Sequence, residues 1–104
     1  MIVQVHTDNH IQGSEELTAR VESLVSGAVA RASNRVSRVQ VHLGDVNSHK
    51  GGGNDKRCMI EVRIDGQPPV AVTQQGPTLE QAMNGAADKL ERTIGSLMER
   101  LRDR

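Results

Sequence analysis

The chain has no Phe, Tyr or Trp among its 104 residues. Stacking of bases or sugars on those side chains, as on the aromatic platform of an RRM, is therefore excluded. Cysteine is nearly absent as well. The single Cys58 forms no internal disulfide and excludes a zinc module built on several cysteines. Such cysteine usage is typical of a reducing compartment, so we expect a cytoplasmic protein.

Long apolar runs are also missing, and none approaches the ~20 residues needed to span a bilayer. Residues 1–6 lack the basic segment and apolar core of a signal peptide. The 13 basic side chains are balanced by 13 acidic ones, so net charge does not predict a polyanion binder. What the chain does contain is branched aliphatic residues in regular patterns. Its length and composition predict a single globular domain over residues 1–104.

The spacing of the apolar residues predicts the element order β-α-β-β-β-α. Alternating segments begin at Ile2, Val36, Arg57 and Val70. Apolar residues at helical spacing follow an N-cap at Ser14, with an end near Ser33–Asn34, and a second helix follows the capping box of Thr78 and Gln81. Each strand has one apolar face, which predicts an α+β fold. We expect one four-stranded sheet with two roughly parallel helices on one face and solvent on the other.

Charges are segregated on both helices. On the second helix, Lys89 and Arg92 lie on one flank of the apolar stripe, while acidic residues such as Glu99 lie on the opposite flank or the back. The first helix places Arg20 and Arg31 on one side and its acids on the other. Two interpretations stay open: a basic edge that follows RNA phosphates, or ion pairs between the two helices.

The element order, the segment Val39–Leu43 (VQVHL) and the segment Asp88–Arg92 (DKLER) resemble the ribosome hibernation-promoting factor family. This family includes the ribosome-associated inhibitor and proteins described as sigma-54 modulation proteins. The resemblance covers nearly the whole chain. The chain is similar to the short form of the family, with no dimerisation domain visible. It implies a factor that binds RNA of the small ribosomal subunit, in the cleft for messenger and tRNA, and inhibits translation in resting or stressed cells.

The resemblance makes Lys89 and Arg92 the first candidates for RNA contacts, because they lie in the matching helix segment. Six further cations are candidates from their placement on loops, on the polar strand faces or on the basic flank of the first helix. These are Arg31, Arg35, Arg38, Lys56, Arg57 and Arg63. A glycine-rich segment at 51–53 predicts a flexible hairpin loop, in which Lys50 is another candidate contact should the loop order on RNA.

Other chemistry is not supported by the sequence. The four histidines do not share the spacing of a metal site, so no metal and no cofactor is predicted. Cys58 has the parity of the apolar face, which predicts a buried structural thiol rather than a nucleophile. No catalytic constellation or nucleotide fingerprint is present. We therefore predict a protein that is not an enzyme, with no small-molecule substrate and no membrane partner.

Two alternatives to a ribosome factor stay open. A generic double-stranded RNA module has the order α-β-β-β-α, but its closing helix usually begins with a lysine cluster. This helix begins instead with Thr78-Leu79-Glu80-Gln81. The second alternative is a protein-interaction domain that has kept the fold without ribosome binding, which the neutral net charge favours.

Overall fold

The computed structural model describes residues 1–46 and 55–103, and the predicted element order is confirmed there. The glycine-rich segment and Lys50 lie outside these ranges. The strands are β1 (Ile2–Thr7), β2 (Val36–Asp45), β3 (Lys56–Ile64) and β4 (Val70–Gly76). The helices are α1 (Glu15–Ala28) and α2 (Leu79–Arg102), with a 3-10 turn between α1 and β2 (Ala30–Ala32).

The four strands form one sheet in the order β1-β2-β3-β4. Strand β1 pairs with β2 in parallel, because α1 carries the chain back to the starting end of the sheet, and the other two pairings are antiparallel. The turn predicted at Asp65-Gly66 is present, with Gly66 at a φ of +78° that a side chain rarely adopts. Strand β4 lies at an edge, as Pro68 and Pro69 predict.

The core lies between the sheet and the helices, which cover one face only. Leu90 and Ile94 of α2 are fully buried against alternate residues of the strands, including Val39 and Val41. Cys58 belongs to the same core, where only 1% of its surface is exposed, and burial raises the pKa of its thiol to about 12. The predicted burial of this thiol is thereby confirmed, and a raised pKa disfavours the reactive thiolate at neutral pH.

Helix α1 ends at Ala28, five residues before the predicted end. The chain then tightens into the 3-10 turn, in which the amide of Ala32 donates to the carbonyl of Val29 at 2.8 Å. A three-residue period brings Val29 and Ala32 to the same side, and both are fully buried. Burial of this pair, together with the low helix propensity of Gly27, accounts for the early end.

Strand β4 extends to Gly76, four residues past the apolar segment that predicted it. The extension consists of polar residues and glycine, so the apolar pattern did not predict it. In the structure, Gln74 takes an inward position and lies against α2. A Cβ at Gly85 of α2 would stand 2.6 Å from Cγ of Gln74, so this glycine leaves room for the glutamine. Neither helix in the described ranges is long and apolar enough to cross a bilayer.

Candidate nucleic-acid interface

Two of the predicted RNA-binding arginines face each other on the open side of the sheet. Arg38 of β2 is the cross-strand partner of Arg63 of β3, and both are exposed. They line a shallow cavity of about 100 Å³ together with Gln40, Glu61 and Pro69. No carboxylate in the described ranges forms an ion pair with either guanidinium. Like charges opposite each other destabilise a sheet, so this pair is suited to neutralisation by an anion.

Arg35 lies at the same end of the sheet as this pair. It comes directly before β2, and its carbonyl accepts a hydrogen bond of 2.9 Å from the amide of Asp65, directly after β3. We call Arg35, Arg38 and Arg63 the arginine end. The structure thus brings together three side chains that are separated by up to 28 positions in the sequence.

Arg57 lies on the same open face but toward the opposite end of the sheet. It pairs across strands with Gly44 of β2 and Gln75 of β4. Together with His6 and His42, it lines a cleft of about 290 Å³. The open face therefore carries arginines near both of its ends.

Lys56 projects from the other side of the sheet, toward the helices. Its Nζ donates to Oδ2 of Asp45 at 2.8 Å and lies 3.6 Å from Oδ1 of Asp55. The hydrogen bond to Asp45 raises the pKa of Lys56. Two carboxylates therefore already hold this ammonium group, which lies apart from the other predicted cations.

Lys89 and Arg92 lie one turn apart on the exposed surface of α2. The Nζ of Lys89 donates to the carbonyl of Thr73 in β4 at 2.8 Å, which satisfies a backbone acceptor of an edge strand. Arg92 lies on the rim of the groove between α1 and α2. A phosphate beside α2 can contact both side chains, because an ammonium group has three donors and a guanidinium has five.

Arg20 of α1 and Arg31 form ion pairs with α2, although Arg31 lies in the 3-10 turn and not, as predicted, on the first helix. Arg20 lies 2.6 Å from Glu80, and Nη1 of Arg31 lies 3.9 Å from Oε1 of Glu99. Arg20, early in α1, contacts the start of α2, and Arg31, just after α1, contacts a residue near the end of α2. These contacts confirm that the helices are roughly parallel. Nη1 of Arg31 also occupies the space above Gly95, 2.8 Å from where a Cβ would be. Interhelical pairing is thus confirmed on this flank, and RNA contact by Arg31 stays a prediction.

The histidines form a feature that the sequence did not predict. His6 and His42 are paired in the parallel register of β1 and β2, and their rings stack with centroids 4.8 Å apart and planes at 19°. Nε2 of His42 lies 3.2 Å from Oε1 of Glu61. Both histidines occupy outward positions in their strands, but only the parallel pairing, with 35 residues between them, makes them neighbours. In the described ranges, no three His, Cys, Asp or Glu side chains converge as metal ligands.

The fold is similar to those of two solved structures. The N-terminal domain of Protein Y from Thermus thermophilus superposes with a TM-score of 0.75 at 20% identity, covering 93% of this chain and 99% of that one. A ribosomal subunit interface protein from Coxiella burnetii gives 0.70 at 15% identity, covering 95% and 99%. These likenesses establish a shared fold. No curated protein matches the chain.

The family itself is established by the sequence match. The family described as sigma 54 modulation protein / S30EA ribosomal protein matches residues 3–102. This chain belongs to that family, and it is a ribosome-associated factor by class. The predicted family resemblance and the α+β fold are both confirmed.

Proposed function

We propose that this protein binds RNA of the small ribosomal subunit, in the cleft that messenger and tRNA occupy, and inhibits translation in resting or stressed cells. Bound there, it acts by occupying the space rather than by chemistry. Family membership supports the ribosome as the partner. The exposed cations support RNA as the part of the ribosome that is contacted.

The single observation that carries this proposal is the unneutralised pair of Arg38 and Arg63. A folded protein gains nothing from placing two guanidinium groups opposite each other on an open face. An RNA phosphate between them relieves the repulsion and releases condensed counterions, which is the main source of affinity for a nucleic-acid backbone. Arg35 extends the same charged surface around the end of the sheet.

The neutral net charge is compatible with this proposal because charge is distributed unevenly. Several acids already form intramolecular ion pairs: Asp45 and Asp55 pair with Lys56, and Glu80 pairs with Arg20. The arginine end has no such partners in the described part of the chain. The electrostatic field near a bound phosphate depends on these local charges, since charges beyond about 8–10 Å are largely screened at physiological salt.

Sedimentation with purified small subunits over a series of salt concentrations tests the proposal. The double variant Arg38→Gln/Arg63→Gln removes both contacts to this phosphate, so the slope of log K against log salt is expected to fall in magnitude by about 0.8. Lys89→Gln/Arg92→Gln tests α2 in the same way.

Arg20→Gln is the matched control, since it removes an exposed arginine that already pairs with Glu80. Its slope is expected to equal that of the unmodified protein. Salt-insensitive sedimentation of the unmodified protein, or equal slopes for all four proteins, would contradict phosphate contact by these residues. Toeprinting of initiation complexes on the same subunits tests the inhibition.

A further inference from the structure

We propose that the open sheet face binds single-stranded RNA and that His6 provides the surface on which one unpaired base stacks. This inference rests on the proposed RNA-binding function and adds to it the class of RNA and the position that receives a base. The juxtaposition that carries it is the stacked pair of His6 and His42 beside Arg57 in one cleft.

The histidine rings are the only aromatic rings that the chain offers for stacking, because it has no Phe, Tyr or Trp. Imidazole rings are among the groups on which splayed RNA bases stack. One face of the His6 ring is covered by His42 at 4.8 Å. The other face is uncovered by any strand, because β1 is the edge of the sheet and His6 is exposed. A base added there continues a stack that already exists.

The ring pair is ordered by stacking and packing rather than by a hydrogen bond. His42 is only partly exposed, and its Nε2 lies 3.2 Å from Oε1 of Glu61 on the same face of β3 but makes no hydrogen bond within the described ranges. The parallel register holds His6 directly beside it. A base that stacks on a preorganised ring costs less ordering entropy than one that must first immobilise a mobile side chain.

Arginine side chains that can contact phosphates flank this position on the same face. Arg57 lines the cleft with the two histidines, and the Arg38–Arg63 pair lies farther along the same two central strands. Gln4 and Gln40 occupy the intervening outward positions of β1 and β2 and offer amides that hydrogen-bond to base edges. The face thus combines a stacking surface with cations along a track, which is the usual design for binding a single strand.

A short oligouridine RNA that contains one 2-aminopurine tests the inference directly. Stacking quenches 2-aminopurine, and the protein contributes no aromatic emission of its own. We expect the unmodified protein to quench the probe. His6→Ala is expected to abolish the quenching and to weaken binding about fivefold, the lower part of the range for loss of one stacked base. His6→Phe is expected to restore both, because it keeps a π face without a titratable group.

His10→Ala is the matched control, since His10 lies outside the cleft, and it is expected to quench like the unmodified protein. Quenching that persists in His6→Ala, or equally tight binding of a blunt RNA duplex, would overturn the inference. Circular dichroism confirms that each variant is folded.

Sedimentation with small subunits separates this inference from the proposed function. If the unmodified protein sediments with subunits but does not quench the probe, the base-stacking inference fails while ribosome binding stands. If it does not sediment at all, the proposed function fails.

Discussion

Asp8 shows how one side chain joins two elements at the edge of the sheet. It comes directly after β1, and its Oδ2 accepts a hydrogen bond of 2.9 Å from the amide of Asp45 at the end of β2. Its Oδ1 accepts another of 2.9 Å from the amide of His10. Gly44 leaves room for the carboxylate, since a Cβ there would lie 2.8 Å from Oδ2. Asp8 therefore clamps the end of β1 to its only neighbouring strand.

The same hydrogen bonds make this clamp dependent on pH. The bond from the Asp45 amide lowers the pKa of Asp8 below its ordinary value of 3.8, because the charged form is the better acceptor. A lowered pKa in the folded state means that the stabilisation is complete above pH 3.8 and is lost as the pH falls through the folded value. We expect Asp8→Ala to lower the free energy of unfolding by about 1 kcal/mol at neutral pH.

Urea unfolding followed by circular dichroism, at neutral pH and again below the folded pKa of Asp8, checks this prediction. The difference between Asp8→Ala and the unmodified protein is expected to shrink at the lower pH. Asp88→Ala serves as the control, because it removes an exposed carboxylate for which the described structure shows no backbone hydrogen bond. A difference between Asp8→Ala and the unmodified protein that is constant over this range would contradict the linkage.

At the scale of elements, the glycines of the two helices have different roles. Gly27 is in the last turn of α1, and a Cβ there would meet no atom within 4 Å. We expect Gly27→Ala to raise the free energy of unfolding by about 0.5–1 kcal/mol, through helix propensity and lower entropy of the unfolded chain.

Gly85→Ala is the matched substitution on α2, where the new methyl group would meet Gln74 at 2.6 Å. Because the glutamine must move, this change is expected to stabilise less than Gly27→Ala or to destabilise. Chemical denaturation of the two variants measures the contrast. Equal stabilisation by both would show that Gln74 does not hold the position described for it.

The sequence predicted the elements well because each carries a local signal. Alternation in β2 and β3, helical spacing in α2 and the two N-caps at Ser14 and Thr78 all depend on residues close in the chain. The end of β4 and the 3-10 turn were not predicted, because tertiary contacts of Gln74 and of Val29 with Ala32 decide them.

The site was predictable in composition but not in arrangement. The pattern placed Arg38 and Arg63 on a polar face, and only the antiparallel register makes them opposite neighbours. The alternation of inward and outward residues did not predict the partners of Lys56. Its ion pairs with Asp45 and Asp55 form only because the end of β2 and the start of β3 lie side by side. The stack of His6 on His42 requires the parallel pairing of β1, for which the local sequence carries no signal.

For the whole molecule, the important property is that exposed cations occupy both layers. Arg38 and Arg63 lie on the open sheet face, whereas Lys89 and Arg92 lie on the helix layer behind it. A straight duplex touches one of these surfaces at a time, but a cleft with walls of RNA contacts both. We therefore expect a short naked duplex to bind about tenfold more weakly than small subunits do at equal salt, because fewer phosphates are reached.

Competition experiments measure this ratio directly, with labelled protein bound to subunits and unlabelled duplex RNA as the competitor. A duplex that competes as well as free small subunits would favour the generic double-stranded RNA module instead. Arg38→Gln/Arg63→Gln is expected to lose affinity for both duplex RNA and small subunits. An equal loss would show that these charges contribute to binding of both partners, so that the preference for subunits comes from shape.

The parallel pairing of β1 also has a consequence for the order of folding. Strands β2, β3 and β4 are joined as successive antiparallel neighbours. The pairing of β1 with β2, which sets Ile2 beside Arg38, instead closes a loop that contains the whole of α1. Contacts that close long loops form late, and an edge strand held on one side opens first in native-state fluctuations. Amide hydrogens of β1 are thus expected to exchange before those of β2 and β3. The ring of His6 then gains its neighbour only when this last strand docks, so an opening of β1 dismantles the base-stacking surface and leaves the arginine end intact.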